Sequence, residues 1–310
     1  MRRRTRNNSD PTVATHFPSL SRNLALNNNI HMFAEDVHLA IMPFRGIADK
    51  QKNFAITLVG EEKECERANY IIGELGEFDK YDLPGMLCDA IDNIAKHLAW
   101  EGCAVYEIVT NDEGEVNLHS FTSKRLVRFP RCFLQIIPRG DWQLWEKKWM
   151  IIPASKVWYI EMPSALGGCK GYRNILKRLK MFEHLGPSFW RSDLETGVQS
   201  QTFDFQKYVR SAEIYYGRIT RTWGWNRRDW SQERSTEFFN FYKMITFRWA
   251  QSVLREHIVT ELNNLFNRLG IVCKLKVTGL PTSSEILQIR RDLQEGIITF
   301  AQASDKVSLL

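Results

Sequence analysis

With 310 residues, 44% of them hydrophobic and 25% charged, the chain has the make-up of an ordinary globular protein of two domains or one large one. A net charge of +6 and a pI of about 9.0 allow contact with a polyanion without requiring it. Six scattered cysteines with no CxxC pair argue against a zinc site or a disulfide framework, no window of 18 apolar residues proposes a membrane span, and the N-terminus lacks the apolar run of a signal peptide.

Residues 1–30 open with Arg2, Arg3, Arg4 and Arg6 and hold little that can pack. They read as a flexible basic arm, either a solvated tail or a hold on nucleic acid or an acidic surface. Residues 31–62 read as an extended segment, a turn at Pro43–Gly46 and a strand at Phe54–Val59. The acidic run from Glu61 starts a helix that continues through Ala68, Ile71, Ile72 and Leu75. Pro84 opens a second helix, with Leu87, Ala90, Ile91, Ile94 and Leu98 as its stripe and Gly102 as its stop. The run Cys103–Val109, a turn at Asn111–Gly114 and the alternation of Val116, Leu118 and Phe121 predict a hairpin. Short β-rich runs follow at 127–129, 133–137, 143–145, 149–152 and 157–160, separated by prolines. Residues 31–165 therefore read as an α/β domain on a mostly antiparallel sheet.

Past Pro163 the pattern turns helical. Gly167, Gly168 and Gly171 form a loop, and Ile175, Leu176, Leu179 and Phe182 then share one face with lysines and arginines opposite. Gly186-Pro187 breaks that helix, and residues 203–225 are helical again, so 166–230 is a second region. The third, 231–310, is dominated by Ser235–Leu269, whose apolar residues recur at steps of three and four. At about 1.5 Å per residue it runs roughly 50 Å. Its stripe slips by one residue at Val253/Leu254, which predicts a kink or a change of partner. Its length predicts that other chains cover part of it. A strand at Cys273–Val277, a helix at Ser284–Leu293 stopped by Gly296, and a short helix capped by Thr299 follow. The fold class is α+β, with long helices in the C-terminal half.

This order of elements resembles the portal proteins of tailed bacteriophages over residues 84–305. The helix ending in Gly102 and the run Cys103-Ala104-Val105-Tyr106-Glu107-Ile108 look like that family's strand after a G-x-A/N-Y-E turn. Val116 to Glu161 resembles its wing, and the glycine-led segment Gly168–Leu179 the helix that follows. Thr236 to Phe241, Glu261 to Leu265 and Gly296-Ile297-Ile298-Thr299 resemble the long helix and the break beyond it. The resemblance implies a portal-like α+β fold with a wing at 31–165, a stem-like region with a reduced clip at 166–230, and the long helix with strand and final helices at 231–310. Little room remains for a clip between Arg173 and Phe203, and a large helical crown is expected to be missing after Thr299.

The resemblance further implies a structural, non-enzymatic virion protein. It would be a homo-oligomeric ring, dodecameric in that family, at the capsid vertex, and in the host cytoplasm during assembly. Its partners would be double-stranded DNA, the major capsid protein, the terminase large subunit and a head-tail adaptor, with no membrane and no cofactor. From Gln206 to Glu256 ten Lys or Arg face five acids, a local +5. Arg218, Arg221, Arg227, Arg228 and Arg248 are interleaved there with Trp223, Trp225 and Trp230, and these arginines are the candidate phosphate contacts of a channel. The competing reading is a set of salt bridges between subunits.

No HExxH, Walker A loop, G-x-S-x-G or GxGxxG junction is present, the seven histidines are isolated, and neither a catalytic nor a metal-ligating residue is assigned. The rival enzyme reading is a Mg-dependent nuclease using Asp141, Glu146 and Lys148, whose spacing suits two carboxylates on a metal and a lysine beside the attacking water. The same charges also suit the solvent face of a Trp-rich hairpin. A third reading is a DNA-binding scaffold.

Overall fold

The computed structural model describes residues 29–39, 41–42, 55–76, 82–111, 115–137, 139, 147–184, 214–225 and 236–307. The fold is α+β, and every strand pairing is antiparallel among the described residues. The basic arm, the turn at Pro43–Gly46 and the run at 143–145 lie outside them.

The first element corrects the sequence reading. Where an extended segment is expected, Asn29–His38 forms helix α1. Phe33, Ala34 and Val37 fall at helical spacing and are fully buried, so tertiary packing decides a segment whose local propensity is weak. Strand β1 (Ala55–Gly60) precedes helices α2 (Glu62–Leu75) and α3 (Leu83–Glu101). Gly102 ends α3 with a left-handed φ of 76° and an N–H to Leu98 O of 2.8 Å, which turns the chain directly into β2 (Cys103–Thr110). Strands β3 (Val116–Ser120), β4 (Leu126–Arg128), β5 (Cys132–Ile136), β6 (Trp149–Pro153) and β7 (Val157–Glu161) follow. Helices α4 (Gly168–His184) and α5 (Glu237–Arg268), strand β8 (Cys273–Thr278) and helices α6 (Ser283–Gln294) and α7 (Phe300–Val307) complete the order.

The strands make three small sheets, β1-β8, β3-β2-β7 and β4-β5-β6, in place of one larger sheet. The chain groups into two units. Val37–Met162 and Leu254–Leu280 belong to the first, and Pro163–Val253 and Pro281–Leu310, with the start of α1, to the second. The slip at Val253/Leu254 thus marks where α5 passes from one unit to the other.

In the first unit β2 is buried from Cys103 to Val109. Its Tyr106 ring lies 5.7 Å from His97 and 5.2 Å from Trp158. The buried Glu101 carboxylate accepts from Ser123 N at 2.6 Å and Thr122 Oγ1 at 2.7 Å, tying the end of α3 to the chain after β3. Asn263 of α5 reads β8 like a neighbouring strand, donating to Leu275 O at 3.1 Å and accepting from Leu275 N at 2.8 Å. The Cys65 and Cys273 thiols touch at 3.4 Å, and burial, then this neighbour, pushes Cys273 up to about 11.

In the second unit Phe241 and Ile245 of α5 pack with Ile286, Leu293 and Ala303. Thr282 and Glu285 close a capping box at the start of α6, with Thr282 N donating to Glu285 Oε2 at 2.7 Å. No residue of α5 from Asn240 to Val259 is exposed. Several of these residues are only half-buried, and Phe238 and Phe239 at the start of the helix are each 49% exposed.

Candidate nucleic-acid interface

The predicted channel arginines are built around a short stretch of the second unit. Residues 214–219 form a helical turn, and the chain then turns at Gly224, whose φ is +67°. A Cβ there would meet Lys243 O at 2.6 Å and the Thr246 Cβ at 2.7 Å, so only glycine admits this approach to α5. Trp223 and Trp225 turn inward on either side of it. The Phe33 ring lies 5.8 Å from Trp223, 5.2 Å from Trp225 and 5.8 Å from Tyr172. Trp225 Nε1 donates to Asp36 Oδ2 at 2.7 Å, and Asn29 Nδ2 to Tyr216 Oη at 2.7 Å. Burial holds the Tyr172 hydroxyl well above its ordinary pKa.

Arg218 and Arg221 stand three residues apart and both are exposed. The interleaving of Arg with Trp therefore means cations outside and rings inside. Trp223 and Trp225 cannot stack on bases, whereas Arg218 and Arg221 can meet phosphates. Arg248 differs. It is half-buried and donates to Gln251 Oε1 at 3.0 Å, and Gln251 Nε2 donates in turn to Asp36 O at 3.1 Å. Burial lowers the Arg248 pKa. Through Gln251 its guanidinium helps hold α5 to α1. Arg227 and Arg228 lie outside the described residues.

Sequence reasoning missed a more basic segment. Between Phe121 and Lys156 eight Lys or Arg face two acids, a net of +6, which equals the formal charge of the whole chain. Those among the described residues are all exposed and sit near the ends of β4, β5 and β6. A charge count taken element by element would have found them.

A cavity of about 290 Å³ opens in the first unit, lined among others by Arg128, Phe133, Tyr159, Asn264 and Arg268. Arg128 stacks over Tyr159 at 5.3 Å and pairs with Glu161 at 3.1 Å. Arg268 donates to Val157 O at 2.8 Å and to Ala154 O at 3.0 Å, and burial lowers its pKa. The lining brings together no histidine and no carboxylate pair; Glu261 is its one acid. Both cations are committed to stapling strands and α5, so the cavity reads as a packing gap with no acid–base machinery. Asp141 and Glu146 of the nuclease reading lie outside the described residues, and Lys148 is exposed.

His97 is a core histidine, its pKa pushed down to about 4 by burial and then by nearby Lys96. Among the described residues no three His, Cys, Asp or Glu side chains gather as a metal site, and no helix is long and apolar enough to cross a membrane. In comparisons with known proteins no family pattern matches the chain, and no characterised protein is detectably similar to it.

Proposed function

We propose that this chain is a non-catalytic structural subunit that closes into a ring of identical copies and conducts double-stranded DNA, the role of a portal protein at a capsid vertex. The order of elements carries the reading. The left-handed Gly102 between α3 and β2, the return of β3, strand β7, the glycine-led α4, the long α5 and the Gly296 break before α7 succeed one another as in that family. Arg218 and Arg221 supply exposed cations on a turn held rigid by buried rings. Sparse contacts of this kind attract phosphate without gripping it, which suits a duplex that must slide. The capsid protein, the terminase large subunit and a head-tail adaptor are the partners such a ring would meet.

Electron microscopy and mass measurement of the purified full chain test the reading. Rings with a central opening are the expected result. A monodisperse monomer at high concentration, with no ring in any salt, overturns it. A plasmid assay with Mg²⁺ separates the nuclease alternative, for which cleavage by the wild type is required.

A further inference from the structure

Two thiols that lie far apart in the sequence meet inside the first unit. Cys65 stands in the first turn of α2 and Cys273 opens β8, 208 residues later, and their sulfurs are 3.4 Å apart. Several contacts hold them in register. Gly60, the last residue of β1, pairs with Cys273, and only Glu61 separates it from α2. A Cβ on Gly60 would meet Val272 O at 2.6 Å and Cys273 Cα at 3.1 Å, so glycine is what lets the end of β1 lie against Cys273. One residue before each thiol, Glu64 Oε2 accepts from Val272 N at 3.0 Å. Two residues beyond Cys273, Asn263 holds Leu275 by both backbone groups, at 2.8 and 3.1 Å.

The two thiols are unequal. Cys65 is half-buried, whereas Cys273 is buried. Burial above all keeps the Cys273 thiol protonated, so a reagent in solution meets Cys65 first. A covalent bond requires the sulfurs to close to about 2 Å, a movement of about 1.4 Å that lies within reach of side-chain rotation.

We infer that Cys65 and Cys273 form a reversible intrachain disulfide, which locks β8 to α2 when the chain meets a small-molecule disulfide such as oxidised glutathione. The Cys65 thiolate attacks one sulfur of the oxidant, the oxidant's S–S bond breaks, and one glutathione leaves as its thiolate. Cys273 then gives up its proton and attacks Cys65 Sγ, the mixed disulfide breaks, and the second glutathione leaves. The two glutathione thiolates take up the two protons; the protein loses two electrons and the oxidant gains them. The bond joins two stretches of the first unit, Val37–Met162 and Leu254–Leu280, which the whole of Pro163–Val253 separates. A link across so long a loop removes much of the freedom of the unfolded chain. The lock stands whether or not the chain forms rings.

The test is incubation of the full chain with oxidised glutathione in the absence of denaturant, followed by acid quenching, alkylation of the remaining thiols and peptide mapping. The expected result is a peptide pair joined through Cys65 and Cys273, lighter by two hydrogens and released by dithiothreitol. The urea midpoint of the oxidised chain should lie about 1 M above that of the reduced chain. In Cys273→Ala glutathione should stay on Cys65, and in Cys65→Ala the Cys273 thiol should stay unmodified, with no rise of the midpoint in either. Mapping of the wild type decides the bond even where a variant fails to fold. Two thiols still open to alkylation after oxidation, glutathione retained on Cys65 of the wild type, a bond to another cysteine or to a second chain, or a bond that forms only in urea each overturns the disulfide. A bond that forms without raising the midpoint overturns the lock.

Discussion

In β3-β2-β7 the central strand is buried at every position from Cys103 to Val109, whereas in β4-β5-β6 every second residue of β5 and β6 is turned out. The turned-out positions of a half-covered antiparallel sheet are ordinarily polar. Here Ile136, Trp149 and Ile151 occupy them. The two sheets share strand chemistry, so composition alone does not separate them. They differ in cover, since α3 lies on the first and nothing described lies over the outer face of the second. A sheet with its core covered and a sheet with one apolar face open can therefore be told apart only when burial is set against polarity, position by position.

The largest expected effect falls in the covered sheet. Tyr106→Ala removes a buried ring between His97 and Trp158 and should cost about 3–5 kcal/mol in denaturant unfolding. Trp149→Ala on the outer sheet should cost under about 1 kcal/mol. Equal losses at the two positions would erase the distinction between the sheets.

Next comes a pH effect confined to the covered sheet. An imidazole held near 4, against 6.5 for the free side chain, takes up its proton more readily when the chain is unfolded. Its contribution is complete above pH 6.5 and lost as the pH falls toward 4, on the order of 3 kcal/mol at the low end. His97→Phe should flatten that part of the profile, and parallel acid-unfolding curves for the two proteins would disprove the assignment.

Smaller still is Arg128→Met at the cavity. Its pair with Glu161 is more than half exposed on both sides, so the loss should stay within about 1 kcal/mol. The smallest stability change is expected for Ile151→Thr, within about 0.5 kcal/mol.

Much of the architecture was legible beforehand. The stripe of Leu87, Ile91, Ile94 and Leu98, the stop at Gly102 and the hairpin of β2 and β3 were all read at close to their observed bounds, because periodicity and glycine geometry are local. Helix α1 was not, because its three buried residues acquire their meaning from rings that lie far along the chain. The pairing of Gly60 with Cys273 was likewise invisible, since nothing in a short alternating run names its partner. In the candidate interface the sequence located Arg218 and Arg221 but could not tell them from Arg248, whose guanidinium faces Gln251.

What the amino-acid order determined by itself is the elements with a strong local period, such as α3, β2 and β3, and the charge each one carries, since these depend on neighbours a few residues apart. What the tertiary structure alone decided is which apolar faces find cover. The middle of helix α5 finds it, whereas Phe238 and Phe239 at its start and the outer face of β4-β5-β6 do not, because burial is a property of the surface that arrives opposite a side chain and not of the side chain.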